Sequence, residues 1–176
     1  MKKSVLAILF LMILSLALSN VGLVLSGGGA KGGYEIGAWK ALIDLGIEIG
    51  GVYGTSVGSL NASAVAQGDF EKALEVWRDI SESKVMSPTQ GQKALIDAYG
   101  GSNEWSVGEL FQGAIDIIKK GIDVSPLREL LEELISENTV RNSGIDFGLV
   151  TFDLTDLRPE MLFIEDIPDG KLIDYI

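Results

Sequence analysis

Two glycine-rich segments and one serine are the residues of this chain whose types and spacing are suited to catalysis. The segment Gly54-Thr55-Ser56-Val57-Gly58 has the G-x-S-x-G spacing of a nucleophile elbow, a sharp strand-to-helix turn that exposes its serine. Upstream, residues 27–32 form a glycine-rich loop before a predicted helix, and its backbone N–H groups suit the binding of an oxyanion. The spacing therefore predicts acyl transfer with Ser56 as the nucleophile.

The two segments contribute different residues to this predicted site. The predicted oxyanion residues are Gly27, Gly28, Gly29, Lys31 and Gly32, and the predicted elbow residues around Ser56 are Gly54, Thr55, Val57 and Gly58.

The same residues admit two other interpretations. A serine before a helix is also typical of a plain N-cap. In addition, the spacing Gly27-x-Gly29-x-x-Gly32 matches the dinucleotide-binding fingerprint, with Glu48 roughly where a ribose-binding acid is sought. That alternative gives the Ser56 motif no role. A phosphate-binding P-loop is excluded, because Gly33 rather than lysine follows Gly32.

The chain contains no histidine, which restricts the group that accepts the serine proton. A carboxylate, a lysine or water must serve instead, and a pair of serine and aspartate is the simplest arrangement.

The periodicity of the first 80 residues predicts alternating strands and helices. Apolar runs predict strands at Val21–Leu25 and Ile49–Tyr53, and helical spacing predicts a helix from Tyr34 to Leu45 that Gly46 ends. The alanine-rich segment Val57–Gln67 is predicted to be helical, and Asp69 is predicted to cap the next helix. This alternation is typical of an α/β fold with a mostly parallel sheet covered by helices.

The second half of the chain is less regular. Residues 81–121 are predicted to form an irregular connection between core elements or a lid, with one helix at Val107–Lys120. Trp105 and Phe111 either line an acyl-chain pocket or belong to an ordinary hydrophobic core. Ser125-Pro126 predicts a helix start with Ser125 as the cap. Residues 146–152 and 160–164 are predicted to pair as a hairpin.

The two ends of the chain predict an export signal and a truncation. Lys2 and Lys3, the apolar run Val5–Leu18 and the small residues before Asn20 are typical of a signal peptide over residues 1–19, or of an uncleaved anchor. We therefore expect an exported or membrane-associated protein with one domain over residues 20–176. The last predicted helix, residues 170–176, has no C-cap, so truncation is expected there.

Composition excludes several kinds of partner. The net charge is −11, and it becomes −13 if Lys2 and Lys3 leave with the signal, which argues against nucleic acid as a partner. Contact with a membrane or micelle surface would have to rest on apolar residues. Because the chain has no cysteine, it forms neither a disulfide nor a thiolate metal site.

With these motifs the chain closely resembles the patatin-like phospholipases. The family's glycine loop, G-G-G-x-[RK]-G, is matched by residues 27–32 and its elbow by residues 54–58, and the resemblance extends over nearly everything after Asn20. It implies a three-layer α/β/α fold and a Ser-Asp dyad that hydrolyses acyl esters of phospholipids or related lipids without a metal or an organic cofactor. Ser56 corresponds to the family nucleophile.

The chain departs from the family at the catalytic aspartate. The family aspartate stands in an Asp-Gly-Gly or Asp-Gly-Ala turn, and this sequence contains only Asp169-Gly170, which lysine follows. Asp169 is predicted to form a simple turn and Asp153 to be structural, so the general base is expected beyond this chain. A non-catalytic remnant that binds lipid or a partner is therefore a second hypothesis.

Overall fold

The structure, a computed structural model, describes residues 21–99, 106–153 and 155–176. The predicted signal at residues 1–19 and the side chain of Trp105 lie outside the described residues. The described chain folds into two compact units, one built from residues 21–74 and 136–176 and the other from the described part of residues 75–135. Each unit has its own secondary structure.

A four-stranded sheet forms the centre of the first unit. Its strands lie in chain order, with the first three parallel and the last antiparallel to its neighbour. The strands are β1 (Val21–Leu25), β2 (Ile49–Thr55), β3 (Asp146–Asp153) and β4 (Arg158–Phe163). The prediction of an α/β fold with a mostly parallel sheet is confirmed, as is the hairpin of the last two strands.

Helices connect these strands. They are α1 (Gly32–Asp44), α2 (Val57–Gln67), α3 (Phe70–Asp79), α8 (Glu137–Arg141) and α9 (Leu172–Tyr175), with short 3-10 helices at Gly29–Lys31 and Ile164–Asp166. Gly46 has a left-handed φ of 65° just after α1, as its sequence position predicts.

One face of the sheet forms the core of this unit. Leu25, Val52, Phe147 and Leu149 are buried there, and α2 packs on this face through its small residues. The α2 side chains that are buried include Ala62 and Val65. Small side chains let a helix approach a sheet closely, which explains the alanine-rich composition of α2.

The opposite face of the sheet is open in the described residues. Val24 and Met161 are 77% and 78% exposed, and Phe163 is about half exposed. Between them the Tyr53 ring lies in edge contact with Phe163, with 6.3 Å between the ring centroids. This apolar surface follows from the continuous apolar runs of parallel strands, which carry apolar residues on both faces.

The second unit is helical. Its helices are α4 (Glu82–Val85), α5 (Gln90–Tyr99), α6 (Val107–Lys120) and α7 (Ser125–Leu134), and α3 continues from the first unit into it. The backbones of α5 and α6 approach closely at Gly91 and Gly113, since a Cβ on Gly91 would lie 2.7 Å from the Gly113 nitrogen. Gln92 is buried beside this crossing and donates to the Gly121 carbonyl oxygen at 2.8 Å.

Two sequence predictions for this unit need correction. Residues 82–85 and 90–99 are helical rather than irregular. The helix at 90–99 is held by the glycine contact and by the buried Gln92, which apolar periodicity does not reveal. Ser125 does not cap α7: it is the first helical residue, Val124 precedes it, and the Asp123 carboxylate accepts the Ser125 N–H at 2.9 Å. Phe111 is 69% exposed, and a lid role for residues 81–121 stays a prediction.

Among the described residues, no helix combines the length and the apolar character that crossing a membrane requires.

Candidate active site

Ser56 occupies the turn between β2 and α2. Strand β2 ends at Thr55 and α2 begins at Val57, so Ser56 is the only residue between them. Its backbone has φ 54° and ψ −128°, a conformation that non-glycine residues rarely adopt, and its side chain is exposed. The Ser56 hydroxyl makes no capping hydrogen bond to α2, so the plain N-cap interpretation has no geometric support.

The glycines on either side of Ser56 are required by close backbone contacts. A Cβ on Gly54 would collide with the Gly58 carbonyl oxygen, and a Cβ on Gly58 would collide with the Leu25 carbonyl oxygen. The turn therefore folds back so tightly that α2 starts against both β2 and the end of β1. Only glycine fits at both positions, and this explains their spacing around Ser56.

The glycine loop lies directly beside Ser56. A Cβ on Gly27 would lie 3.2 Å from the Ser56 Cβ and 3.9 Å from its hydroxyl oxygen. Gly29 has a left-handed φ of 55° and begins the 3-10 helix that leads into α1. The parallel pairing of β1 with β2 produces this juxtaposition, because the loop after β1 and the turn after β2 leave the same edge of the sheet.

The backbone N–H groups of the loop fall into two classes. Lys31 donates its N–H to the Gly28 carbonyl oxygen at 3.2 Å, and Gly32 donates to the Gly29 carbonyl oxygen. Within the described residues, the N–H groups of Gly28 and Gly29 donate no hydrogen bond to a backbone carbonyl or to a side chain. Of the predicted oxyanion residues, Gly28 and Gly29 therefore keep donors that a ligand can take.

The two aspartates that the sequence singled out have other partners. Asp153, at the end of β3, accepts hydrogen bonds from the N–H groups of Thr155 and Asp156 at 2.7 and 3.3 Å, and these bonds hold the pKa of Asp153 below its ordinary value. The Asp169 side chain is 96% exposed and pairs with Arg141 at 3.4 Å. Both carboxylates thus belong to turns.

A third carboxylate on the sheet also lies away from the serine. Asp146 begins β3, at the opposite edge of the sheet, and accepts a hydrogen bond from the Tyr53 hydroxyl at 2.6 Å. This bond raises the pKa of Tyr53 above its ordinary value. Across the described residues, no side chain hydrogen-bonds the Ser56 hydroxyl, and no three potential metal ligands cluster together.

The dinucleotide interpretation fails on the position of Glu48. The Glu48 carbonyl oxygen accepts the Val21 N–H at 3.1 Å, which places Glu48 at the start of β1 and β2. The glycine loop follows the other end of β1. A ribose-binding acid belongs at the same edge as the glycine loop, so Glu48 stands at the wrong end of the sheet for that role.

Sequence reasoning overlooked Asn61. This residue is 3% exposed on α2, and its side-chain amide donates to the Gly32 carbonyl oxygen at 3.0 Å and to the Glu35 carboxylate at 2.7 Å. The sequence feature that could have identified it is a single amide side chain among the small residues of a helix that is predicted to pack tightly.

Comparison with known proteins supports the fold and gives a matching family. The family model described as patatin-like phospholipase matches residues 23–176. A curated relative, lysophospholipase nte1 of Aspergillus terreus (strain NIH 2624 / FGSC A1156), is 48% identical over 48 residues, which make up 27% of this chain and 3% of the fungal protein.

A solved structure is similar over most of the chain. The crystal structure of VipD from Legionella pneumophila matches with a TM-score of 0.53 and 19% identity, over 89% of this chain and 41% of VipD. The similarity is one of fold. The chain thus spans less than half the length of each of these two proteins.

Proposed function

The chain belongs to the patatin-like phospholipase family, and from that premise we propose that it is a serine lipid acyl hydrolase in which Ser56 is the nucleophile. The single observation that carries the proposal is the geometry of Ser56, an exposed serine with a left-handed φ between a strand and a helix, directly beside the glycine loop. The substrate would be an acyl ester of a phospholipid or a related lipid.

In the proposed reaction, the Ser56 hydroxyl oxygen attacks the ester carbonyl carbon. The carbonyl oxygen becomes an oxyanion, which the N–H groups of Gly28 and Gly29 stabilise together with the positive end of the helix that follows. The bond from the carbonyl carbon to the alcohol oxygen then breaks, and the alcohol leaves with a proton. Water hydrolyses the resulting acyl-serine ester and restores Ser56.

The proposed proton acceptor is an aspartate that the described residues do not provide. Asp146, Asp153 and Asp169 are each held by other groups, so none of them is assigned this role. Proton transfer by a positioned base is typically worth about 10²–10⁴-fold in rate. Without that base we expect both the acylation of Ser56 and the hydrolysis of the acyl-serine ester to be slower by about this factor.

The test is to treat the full chain and its Ser56→Ala variant with a fluorophosphonate probe, and to measure hydrolysis of a p-nitrophenyl acyl ester in parallel. We expect the probe to label the wild-type chain at Ser56, located by mass spectrometry, and to leave Ser56→Ala unlabelled. Ser83→Ala, an exposed serine on α4, is the matched control and should label as the wild type does. Equal labelling of the wild type and Ser56→Ala would refute the nucleophile assignment.

A second candidate is a non-catalytic protein that binds lipid or a partner, and it is favoured because no carboxylate among the described residues hydrogen-bonds the Ser56 hydroxyl. The Ser56→Ala variant separates the two. If the wild type is neither labelled nor active, while both proteins bind phospholipid vesicles equally, the binding function is supported and the hydrolase is not.

A further inference from the structure

One buried side chain connects the two elements that carry the candidate active site. Asn61 lies on α2, five residues after Ser56, and α1 begins at Gly32, where the glycine loop ends. The Asn61 side-chain nitrogen donates to the Gly32 carbonyl oxygen at 3.0 Å and to the Glu35 carboxylate at 2.7 Å. A single amide therefore joins the helix after the serine to the first turn of the helix after the glycine loop.

The hydrogen bonds of Asn61 are buried, and one of them is made to a charged group. Asn61 is 3% exposed, and one of its two acceptors is a carboxylate, so at least one of the bonds is charge-assisted. Removing the amide would leave the Gly32 carbonyl oxygen and the Glu35 carboxylate without this donor. A polar group that loses its partner away from water is unfavourable, so the contact that holds the two helices at their present spacing is lost together with the amide.

The spacing of these helices determines where the loop donors stand. The Gly28 carbonyl oxygen and the Gly29 carbonyl oxygen accept the N–H groups of Lys31 and Gly32, so the loop is bonded to the start of α1. A movement of α1 against α2 therefore moves Gly28 and Gly29 against Ser56. Oxyanion donors act only when they stand about 3 Å from the developing charge.

We propose that Asn61 is a positioning residue that fixes the glycine loop at its working distance from Ser56. The kinetic consequence of this inference rests on the proposed hydrolase function. The hydrogen bonds of Asn61 between α1 and α2 do not depend on that function. A misplacement of about 1 Å at a reacting centre costs up to about 10²-fold in rate. Because Asn61 is buried, its effect on the reaction is transmitted through the loop.

The kinetic test measures how the fluorophosphonate probe labels the full chain and its Asn61→Ala variant over a range of probe concentrations. The maximal labelling rate of Asn61→Ala is expected to fall about 10- to 100-fold, with less than a two-fold change in the half-saturating concentration. The matched control is Ser63→Ala. Ser63 is equally buried on α2, but it donates to the Ser59 carbonyl oxygen within the same helix, so its loss should leave the labelling rate within two-fold.

A second measurement does not depend on activity. Amide hydrogen exchange, followed by mass spectrometry on peptides that cover residues 26–36, should accelerate in Asn61→Ala and not in Ser63→Ala. If both variants label at the same rate and exchange alike, the positioning role is overturned. If the wild type is not labelled at all, the hydrolase proposal fails and the exchange data alone decide whether Asn61 holds the loop.

Discussion

At the scale of single residues, the backbone of Ser56 carries strain that its neighbours maintain. The φ of 54° and ψ of −128° belong to a region that costs a non-glycine residue about 1–3 kcal/mol. The tight contacts of Gly54 and Gly58 leave the turn no room to relax. The strain is therefore stored in the folded state, and a residue that tolerates this φ and ψ would release it.

This strain leads to a prediction about stability. Ser56→Gly and Ser56→Ala both remove the hydroxyl, but only glycine relieves the strain, so Ser56→Gly should be about 1 kcal/mol more stable than Ser56→Ala. Elsewhere, glycine in place of alanine is destabilising by about 0.5–1 kcal/mol, so the order of the two variants is diagnostic. Urea unfolding of both variants measures the difference. An alanine variant at least as stable as the glycine variant would mean that the turn is not strained.

Residue spacing predicts the position of Ser56 because close backbone contacts around it require glycine at fixed positions. Gly54 and Gly58 must be glycine wherever this turn forms, and glycine is easily recognised. The contacts of Asn61 produce no recognisable sequence pattern, since its partners lie 26 and 29 positions away and become neighbours only when α1 and α2 pack. The Ser125 cap prediction is wrong because the helix begins one residue earlier than expected: Ser125 is its first residue, and the Asp123 carboxylate accepts the Ser125 N–H.

At the scale of elements, a polar contact attaches the end of the first unit to α8. Glu137 accepts hydrogen bonds from the backbone N–H groups of Gly170 and Leu172 at 2.9 and 3.0 Å, and from Arg141 at 2.8 Å. Arg141 in turn donates to the carbonyl oxygens of Ile164 and Ile167. The two side chains, both largely buried, thus hold the turn that leads into α9.

The Glu137 contact predicts a pH dependence of stability. Burial raises the pKa of Glu137, but the hydrogen bonds from Leu172, Arg141 and Gly170 outweigh it, and the pKa lies below its ordinary value. A lowered folded-state pKa stabilises the fold above the unfolded pKa of about 4.3, and this contribution is lost as the pH falls further. Glu137→Gln should therefore be about 1–3 kcal/mol less stable at pH 7, with a difference that shrinks below about pH 4.

Chemical unfolding at several pH values measures this difference. The exposed Glu71 provides the control, since Glu71→Gln should change stability little at any pH. A Glu137→Gln deficit that stays constant down to pH 3 would show that the ionised carboxylate is not the stabilising form.

The elements of the first unit were more predictable from sequence than those of the second. Helix α2 and strand β1 have the predicted bounds because apolar runs, glycines and helix stops agree there. In the second unit, α5 packs on α6 through Gly91 and Gly113, and in a single sequence these glycines suggest loops. Periodicity reveals burial by side chains and does not reveal backbone contact between helices.

At the scale of the whole molecule, net charge and apolar surface have opposite effects on binding to an anionic membrane. The chain carries 14 basic and 25 acidic residues, for a net charge of −11, so an anionic bilayer repels it at long range. Apolar contact is short-ranged and does not depend on salt in this way. When the membrane that holds the proposed lipid substrate is anionic, the chain therefore approaches it against electrostatic repulsion.

The resulting prediction concerns the effect of salt on the choice between surfaces. At about 10 mM salt the Debye length is about 30 Å and the repulsion is felt in full, whereas at 1 M it is about 3 Å. Binding of the full chain to zwitterionic phosphatidylcholine vesicles should exceed binding to vesicles that contain phosphatidylserine by several-fold at low salt, and the two should converge at high salt. Vesicle sedimentation measures both. Tighter binding to the anionic vesicles at low salt would contradict the prediction, because it would mean that a local basic surface such as that around Lys31 outweighs the net charge of the molecule.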